Sequence, residues 1–414
     1  MTKSDKSNRS ASYLAHRAAV TATIAGLLLS GIACSSSDDG AALATTASTT
    51  TPARAPTTTT TTPPSTTAPL ATSAPPTSVS SDARAAMLTR ILASHHNAGE
   101  FVGARIALLD RDGTITQVVA GAASADPSGP PVELDTPWGI GSVTKTFVAV
   151  VVLQLSEEGR LDLDAGIDAF FPELPGAKQI TPRLLLQHTS GLNEYLSDPA
   201  VQSDTQRVWT PAELIAVAEA AGRVGEPGGA HHYANTNYIV LGQIIEQVTG
   251  NSVADEVRTR VVEPLGLSHT SFISGHVAPG YVVADGTFVV PPPWDPSLGG
   301  AAGSMQSNGR DLLMFIKALI DGTLLSPASQ TSMRAFVPVG DLTEFGITHS
   351  YGLGLEEYST DTITAIGHLG SGHTHSAFIG YDPATGNAVA VTMNVETPGP
   401  QAFMALEALT GTAS

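Results

Sequence analysis

Ser142 and Lys145 are the first pair of residues whose types and spacing can do chemistry. They lie in Gly139-Ile140-Gly141-Ser142-Val143-Thr144-Lys145, at the head of a nearly all-apolar segment that ends at Gly159. That run is too long for a typical strand and reads as a buried helix despite its valines. Positions three apart on a helix share a face, one turn above the other. A lysine that starts a buried helix loses hydration, so its pKa falls and it can accept or relay the proton of a neighbouring hydroxyl. The serine then becomes an oxygen nucleophile for acyl transfer. A serine that merely caps the helix, followed by a solvated lysine, has the same spacing. Lysine is scarce here, since Lys3, Lys6, Lys145, Lys178 and Lys317 are the only ones in the chain. One set against an apolar helix needs a reason.

Twelve histidines raise a metal reading. His231-His232 and the group His368, His373 and His375 include no His-Glu-x-x-His helix, and adjacent histidines on a strand point to opposite faces. The single cysteine, Cys34, excludes an intrachain disulfide and a cysteine-based zinc site. No metal and no cofactor are expected. His188 reads as structural, at a helix end. Pro291-Pro292-Pro293-Trp294 reads as a rigid surface or cleft-edge loop.

The elements that must position these residues follow from hydrophobic period. Residues 102–109 and 114–120 form a strand pair around Asp110-Arg111-Asp112-Gly113, and residues 376–381 and 388–393 form a matching pair near the C-terminus. Helical patterns occupy 143–158, 211–221, 238–248 and 311–320. Strands at both ends with helices between them imply an α+β domain, an α/β sandwich. One antiparallel sheet is closed by N- and C-terminal strands, with helices packed on it and a helical lobe inserted.

The 414 residues carry a formal charge of −18, and such an acidic chain cannot neutralise a run of phosphates, so nucleic acid is not expected as a partner. Residues 1–33 read as an export signal: Lys3, Lys6, Arg9 and Arg17 precede an apolar run too short to span a bilayer. That run ends in small residues before Cys34, as in the lipobox of bacterial lipoproteins, which implies a lipidated Cys34 and attachment to the outer face of the cell membrane. An ordinary secretory signal is the other reading. Residues 34–82 are a Ser/Thr/Pro-rich tether that cannot bury enough apolar surface to order itself. Residues 83–414 are the globular part.

Pro137-Trp138-Gly139-Ile140-Gly141-Ser142-Val143-Thr144-Lys145-Thr146-Phe147 resembles the first motif of the class C β-lactamase-related serine hydrolases. Tyr233-Ala234-Asn235 is similar to that family's second motif, and His368-Leu369-Gly370 to its third. His188-Thr189-Ser190-Gly191-Leu192 and Ala302-Gly303-Ser304 also fit, in family order from about residue 90 to 412. The resemblance implies the β-lactamase/transpeptidase-like fold and an acyl-enzyme on Ser142. Tyr233 would be the general base, sharing the serine proton with Lys145, its pKa drawn below about 10 by the ammonium. Asn235 would bind the substrate amide or orient Lys145. His368 would act near Tyr233 and the leaving group, with Gly370 and Ser371 lining the substrate site. The backbone N–H groups of Ser142 and Ser371 would form the oxyanion hole.

The activity implied is that of an exported, monomeric serine hydrolase acting on a small peptide or ester. D-Ala-D-Ala carboxypeptidase action on cell-wall peptides comes first, a small-ester esterase second and a β-lactamase third. A non-catalytic lipoprotein that binds wall peptides is the reading from another class. Leu369 departs from the Thr or Ser usual in the family's peptidases and lactamases. With a side chain offering no donor there, β-lactam hydrolysis is expected to be poor and uncharged esters better substrates.

Overall fold

In the computed structural model, residues 80–126, 129–275, 277–340, 346–397 and 399–411 are described. The export signal, Cys34 and all but the end of the tether lie outside them. The first element is a helix that the sequence reading did not anticipate, α1 (Ser81–Asn97), capped by the Ser80 hydroxyl, which accepts from Ala83 N at 3.3 Å. Its buried residues Met87, Leu88, Ile91 and Leu92 make one stripe of helical period.

Strands β1 (Gly103–Leu109) and β2 (Ile115–Gly121) follow as the expected hairpin. The central helices are α2 (Thr144–Glu157), α3 (Thr236–Thr249) and α4 (Gly309–Ile320). Strands β3 (Val337–Pro338), β4 (Thr348–Tyr351), β5 (Glu356–Ser359), β6 (Thr364–Ser371), β7 (Ser376–Tyr381) and β8 (Ala388–Met393) come next, then α5 (Pro400–Thr410). The main sheet has the order β2-β1-β8-β7-β6-β5-β4-β3, every neighbouring pair antiparallel. Ala104 pairs with Met393 and Leu109 with Ala388, so the N-terminal strand lies beside the last one. The sequence implied this closure.

Side chains alternate across a strand, and this sheet is covered on both faces. Ile106, Leu108, Leu369, Phe378, Val389 and Val391 join the core shared with α1 and α5. Ala107, Leu109, Ile366, Ile379 and Ala390 join the larger core built with α2, α3 and α4. Burial on both faces explains why β1 reads as an unbroken apolar run. The same holds for α2, where Val148 through Leu153 have no exposed surface. Its valines are poor helix formers, and the burial of every one outweighs a propensity cost of about 0.5 kcal/mol each.

The lobe comprises α3 with the short helices Pro182–Leu186 and Pro211–Ala220. The second starts with a capping box between Thr210 and Glu213 and Pro211 in its first turn. The site lies where this lobe meets α2 and the C-terminal end of β6.

Candidate active site

Ser142 sits in a single 3₁₀ turn, Gly141–Val143, that leads directly into α2. The cap position of α2 is Val143, which has no side-chain cap bond, so Ser142 is not a capping serine. Two glycines bring this turn onto β6. Gly141 has φ +50°, and a Cβ there would stand 2.5 Å from the Ser371 carbonyl carbon. A Cβ on Gly370 would stand 2.1 Å from Ile140 O. Only bare backbones fit, and the main chains of Ser142 and Ser371 therefore run side by side.

Lys145 is completely buried on the next turn. Its Nζ donates to Ser142 Oγ at 3.0 Å, Asn235 Oδ1 at 2.7 Å and Ala302 O at 2.8 Å. Burial lowers its pKa to about 7, against the opposing pull of the Glu194 and Glu356 carboxylates. The sequence reading expected this desolvated amine beside the serine. Of the two roles open to Asn235, the structure shows the orienting one. Its amide is held in turn by Glu194, whose Oε2 accepts from Asn235 N at 2.6 Å and Asn235 Nδ2 at 3.0 Å.

Tyr233 is brought to the same place by His188, a buried residue at φ +58°. His188 Nδ1 accepts from Ala234 N at 3.2 Å and lies 2.9 Å from Asn237 Nδ2, and its ring stacks on that of Tyr233 at 4.2 Å. Here the expected electrostatics are reversed. Burial raises the Tyr233 pKa well above its ordinary value, and the contact with the Ser142 hydroxyl offsets only part of that. The Lys145 ammonium sits over the ring, 4.8 Å from its centroid, and its hydrogen bonds go to Ser142, Asn235 and Ala302. The phenol is therefore neutral at rest.

His368 and Gly370, expected to contact substrate, are placed otherwise. His368 is 1% exposed and faces Tyr351, with Nε2 2.9 Å from the Tyr351 hydroxyl and Nδ1 2.5 Å from Leu369 O. Burial depresses its pKa. Strand alternation turns its ring into the polar layer behind the site, and Gly370 serves the close packing on Ile140. Leu369 points to the opposite face, into the core with Phe378. Leu369 also borders the cleft described below.

Four participants had no signal in the sequence reading. Glu194 holds Asn235, as above. Glu356 accepts from Leu369 N at 2.6 Å and from the Tyr358 hydroxyl at 3.1 Å, and its pKa is about 2: burial pushes upward, but His368, His349 and the Leu369 N–H more than offset it. Tyr351 links His368 to the ring of Tyr233. Glu396 accepts from Ser371 Oγ at 2.9 Å.

Ser142, Tyr233, Asn235 and Ser371 open on one cleft of about 1180 Å³. The loop Pro291–Trp294 forms part of its edge: Trp294 stacks on His373 at 4.4 Å, and His373 Nε2 lies 2.6 Å from Pro292 O. Its wall includes the acids Asp295, Glu356 and Glu396 and, among the described residues, no arginine or lysine.

The family model described as Beta-lactamase matches residues 88–413. Penicillin-binding protein 4* of Bacillus subtilis (strain 168) is 30% identical over 243 residues, covering 54% of this chain and 53% of that protein. The chain thus spans about half the length of that relative. A D-stereospecific amidohydrolase from Streptomyces sp. superposes with a TM-score of 0.68 at 29% identity, over 80% of this chain and 98% of that one. A D-amino acid amidase from Ochrobactrum anthropi SV3, complexed with L-phenylalanine amide, gives a TM-score of 0.70 at 29% identity, over 79% and 97%. The fold is β-lactamase/transpeptidase-like. Matched from its first helix to its last, the chain belongs to the beta-lactamase family of serine hydrolases.

Proposed function

We propose that this protein hydrolyses amides and esters through an acyl-enzyme on Ser142, and that its preferred substrates lack the terminal carboxylate of a D-Ala-D-Ala peptide or a penicillin. One observation carries the choice of substrate: among the described residues, the cleft wall around Ser142 holds three acids and no arginine or lysine. Among the described residues the one amine at the site, Lys145, is already engaged by three oxygens. A substrate carboxylate would enter a negative field without a partner. Amide hydrolysis is further supported by the two structural neighbours, which are an amidohydrolase and an amidase. A purely binding protein would have no use for a desolvated lysine beside a serine.

The chemistry follows from the geometry. Neutral Lys145 takes the Ser142 proton as Oγ attacks the carbonyl carbon, and the oxygen of that carbonyl gains charge facing the backbone N–H groups of Ser142 and Ser371. Tyr233, a neutral phenol, gives its proton to the leaving amine or alkoxide and recovers one from the water that attacks the acyl carbon, while Lys145 returns its own to the departing Ser142 Oγ. Water then releases the acyl group by the reverse path.

Tyr233→Phe is expected to slow acylation by amides at least about a hundredfold and acylation by p-nitrophenyl esters far less, because p-nitrophenolate leaves without a proton. Equal losses in the two series, measured by stopped-flow acylation, would remove Tyr233 from the leaving-group step. Substrate choice is tested by kcat/KM for D-phenylalanine amide, a p-nitrophenyl ester, a D-Ala-D-Ala peptide and nitrocefin. The amide and ester should lead, and preference for either carboxylate-bearing compound would refute the proposal.

We also propose that the domain is exported and held at the membrane by a lipid on Cys34, which the basic leader and the small residues before that cysteine support. Cys34→Ala should move the protein from the membrane fraction to the medium. Wild-type protein already free in the medium would argue against the anchor.

A further inference from the structure

Glu396 is a carboxylate in the cleft that acyl transfer does not use. It lies in the two-residue strand Val395–Glu396, which pairs in parallel with Tyr281 and Val282. Ser376 fixes that strand, donating from Oγ to Val395 O at 2.7 Å and accepting from Thr397 N at 3.1 Å. The carboxylate accepts from Ser371 Oγ, and the Ser371 main chain lies against Gly141, next to the nucleophile. Glu396 is thus one side chain away from the position of the acyl carbon.

Its surroundings leave the charge unanswered. Among the described residues the Ser371 hydroxyl is its one hydrogen-bond partner, and burial raises its pKa. The two histidines of the same wall supply no cation, because burial lowers both pKa values, that of His375 to about 3 with the nearby Arg105 guanidinium adding to the effect; Arg105 itself lies behind the wall, held by Thr392 Oγ1 and the Glu133 and Leu134 carbonyls. A second group points to a ligand. His375 is 2% exposed, lines the cleft, and its Nε2 has no partner. Its Nδ1 lies 2.9 Å from Thr374 Oγ1, and donation there leaves Nε2 as an acceptor. Both groups belong to one corner: Gly280 lies against the His375 ring, and the next residue, Tyr281, pairs with Val395. A carboxylate with a single hydroxyl partner and an orphaned ring nitrogen, beside the acyl site in a wall whose described residues include no arginine or lysine, suit an ammonium group.

We infer that the acyl group of the substrate carries a protonated amine and that Glu396 binds it, so that Glu396 selects amino-acyl donors over N-blocked ones. This rests on the acyl-Ser142 reading and adds the recognition element to it. The amine would sit on the acyl side of the scissile bond, on the same side as Ser371, while the leaving group departs toward Tyr233.

The test uses D-alanine p-nitroanilide and its N-acetyl counterpart with the full chain, alongside fluorophosphonate labelling. Wild type should favour the free amine by about 10- to 100-fold in kcat/KM, the range of a charge-assisted hydrogen bond. Glu396→Gln should cut that preference about tenfold or more, chiefly through KM, and Glu396→Asp should restore part of it. Wild type that cleaves the N-acetyl compound equally well overturns the inference without recourse to any variant. So does a preference unchanged in Glu396→Gln. Labelling at Ser142 with neither anilide cleaved overturns the amine reading alone. Absence of labelling overturns the acyl-serine reading beneath it.

Discussion

Replacing Ser142 by alanine is expected to abolish hydrolysis of every substrate, by about 10⁴-fold or more, with the fold unchanged. The hydroxyl is the attacking atom, and among the described residues it is the one hydroxyl that Lys145 Nζ bonds, at 3.0 Å. Its loss leaves Lys145 two of its three oxygen partners, Asn235 Oδ1 and Ala302 O. Ser142 is itself half-buried in a one-turn segment between fixed elements, so alanine fits without a cavity of consequence. The measurement pairs steady-state turnover with thermal unfolding. Activity within tenfold of wild type, at an unchanged melting temperature, would remove Ser142 from the mechanism.

Lys145→Met should cost about 10²- to 10⁴-fold in acylation, the usual contribution of a positioned base, and should erase a limb of the pH profile. The sign follows from burial. The amine must be neutral to accept the serine proton, and its pKa falls from 10.5 to about 7. Acylation by the wild type therefore rises with pH through about 7 and falls roughly tenfold for each unit below it. The same shift acts on stability. Between about 7 and 10.5 the unfolded lysine holds a proton that the folded one has lost, so stability rises with pH across that window. Below about 7 both forms are protonated and the slope from this group vanishes. A profile flat from pH 5 to 9, unaltered by Lys145→Met, would assign the base elsewhere.

The parts of the site that a single segment encodes were legible in the sequence. Ser142 and Lys145 announce themselves by spacing on an apolar helix, and the hairpins by apolar runs flanking Asp-Gly and Gly-Asn turns. The carboxylates were not legible, because their roles arise only when the chain folds. Glu194 meets Asn235 across 41 positions, Glu356 meets Leu369 across 13 and Glu396 meets Ser371 across 25. Strands β4 and β5 went unseen for a related reason: their inward positions include His349 and Glu356, so no apolar alternation marks them. The direction of the Tyr233 shift was missed because the ammonium was expected at the hydroxyl. The helix instead carries Lys145 over the face of the ring, and desolvation prevails. The third motif shows the limit of reading a triplet by resemblance. On a strand buried on both faces, His368 and Leu369 must diverge, one into the polar layer behind Tyr351 and one into the core.

Trapping the acyl-enzyme tests the mechanism most directly. The full chain is mixed with a slowly deacylated ester, quenched in acid, and examined by intact mass and peptide mapping. The expected result is one acyl adduct per chain, confined to the peptide that contains Ser142 and absent from Ser142→Ala. Hydrolysis that proceeds without an adduct, or an adduct on any other residue that persists in Ser142→Ala, would contradict it.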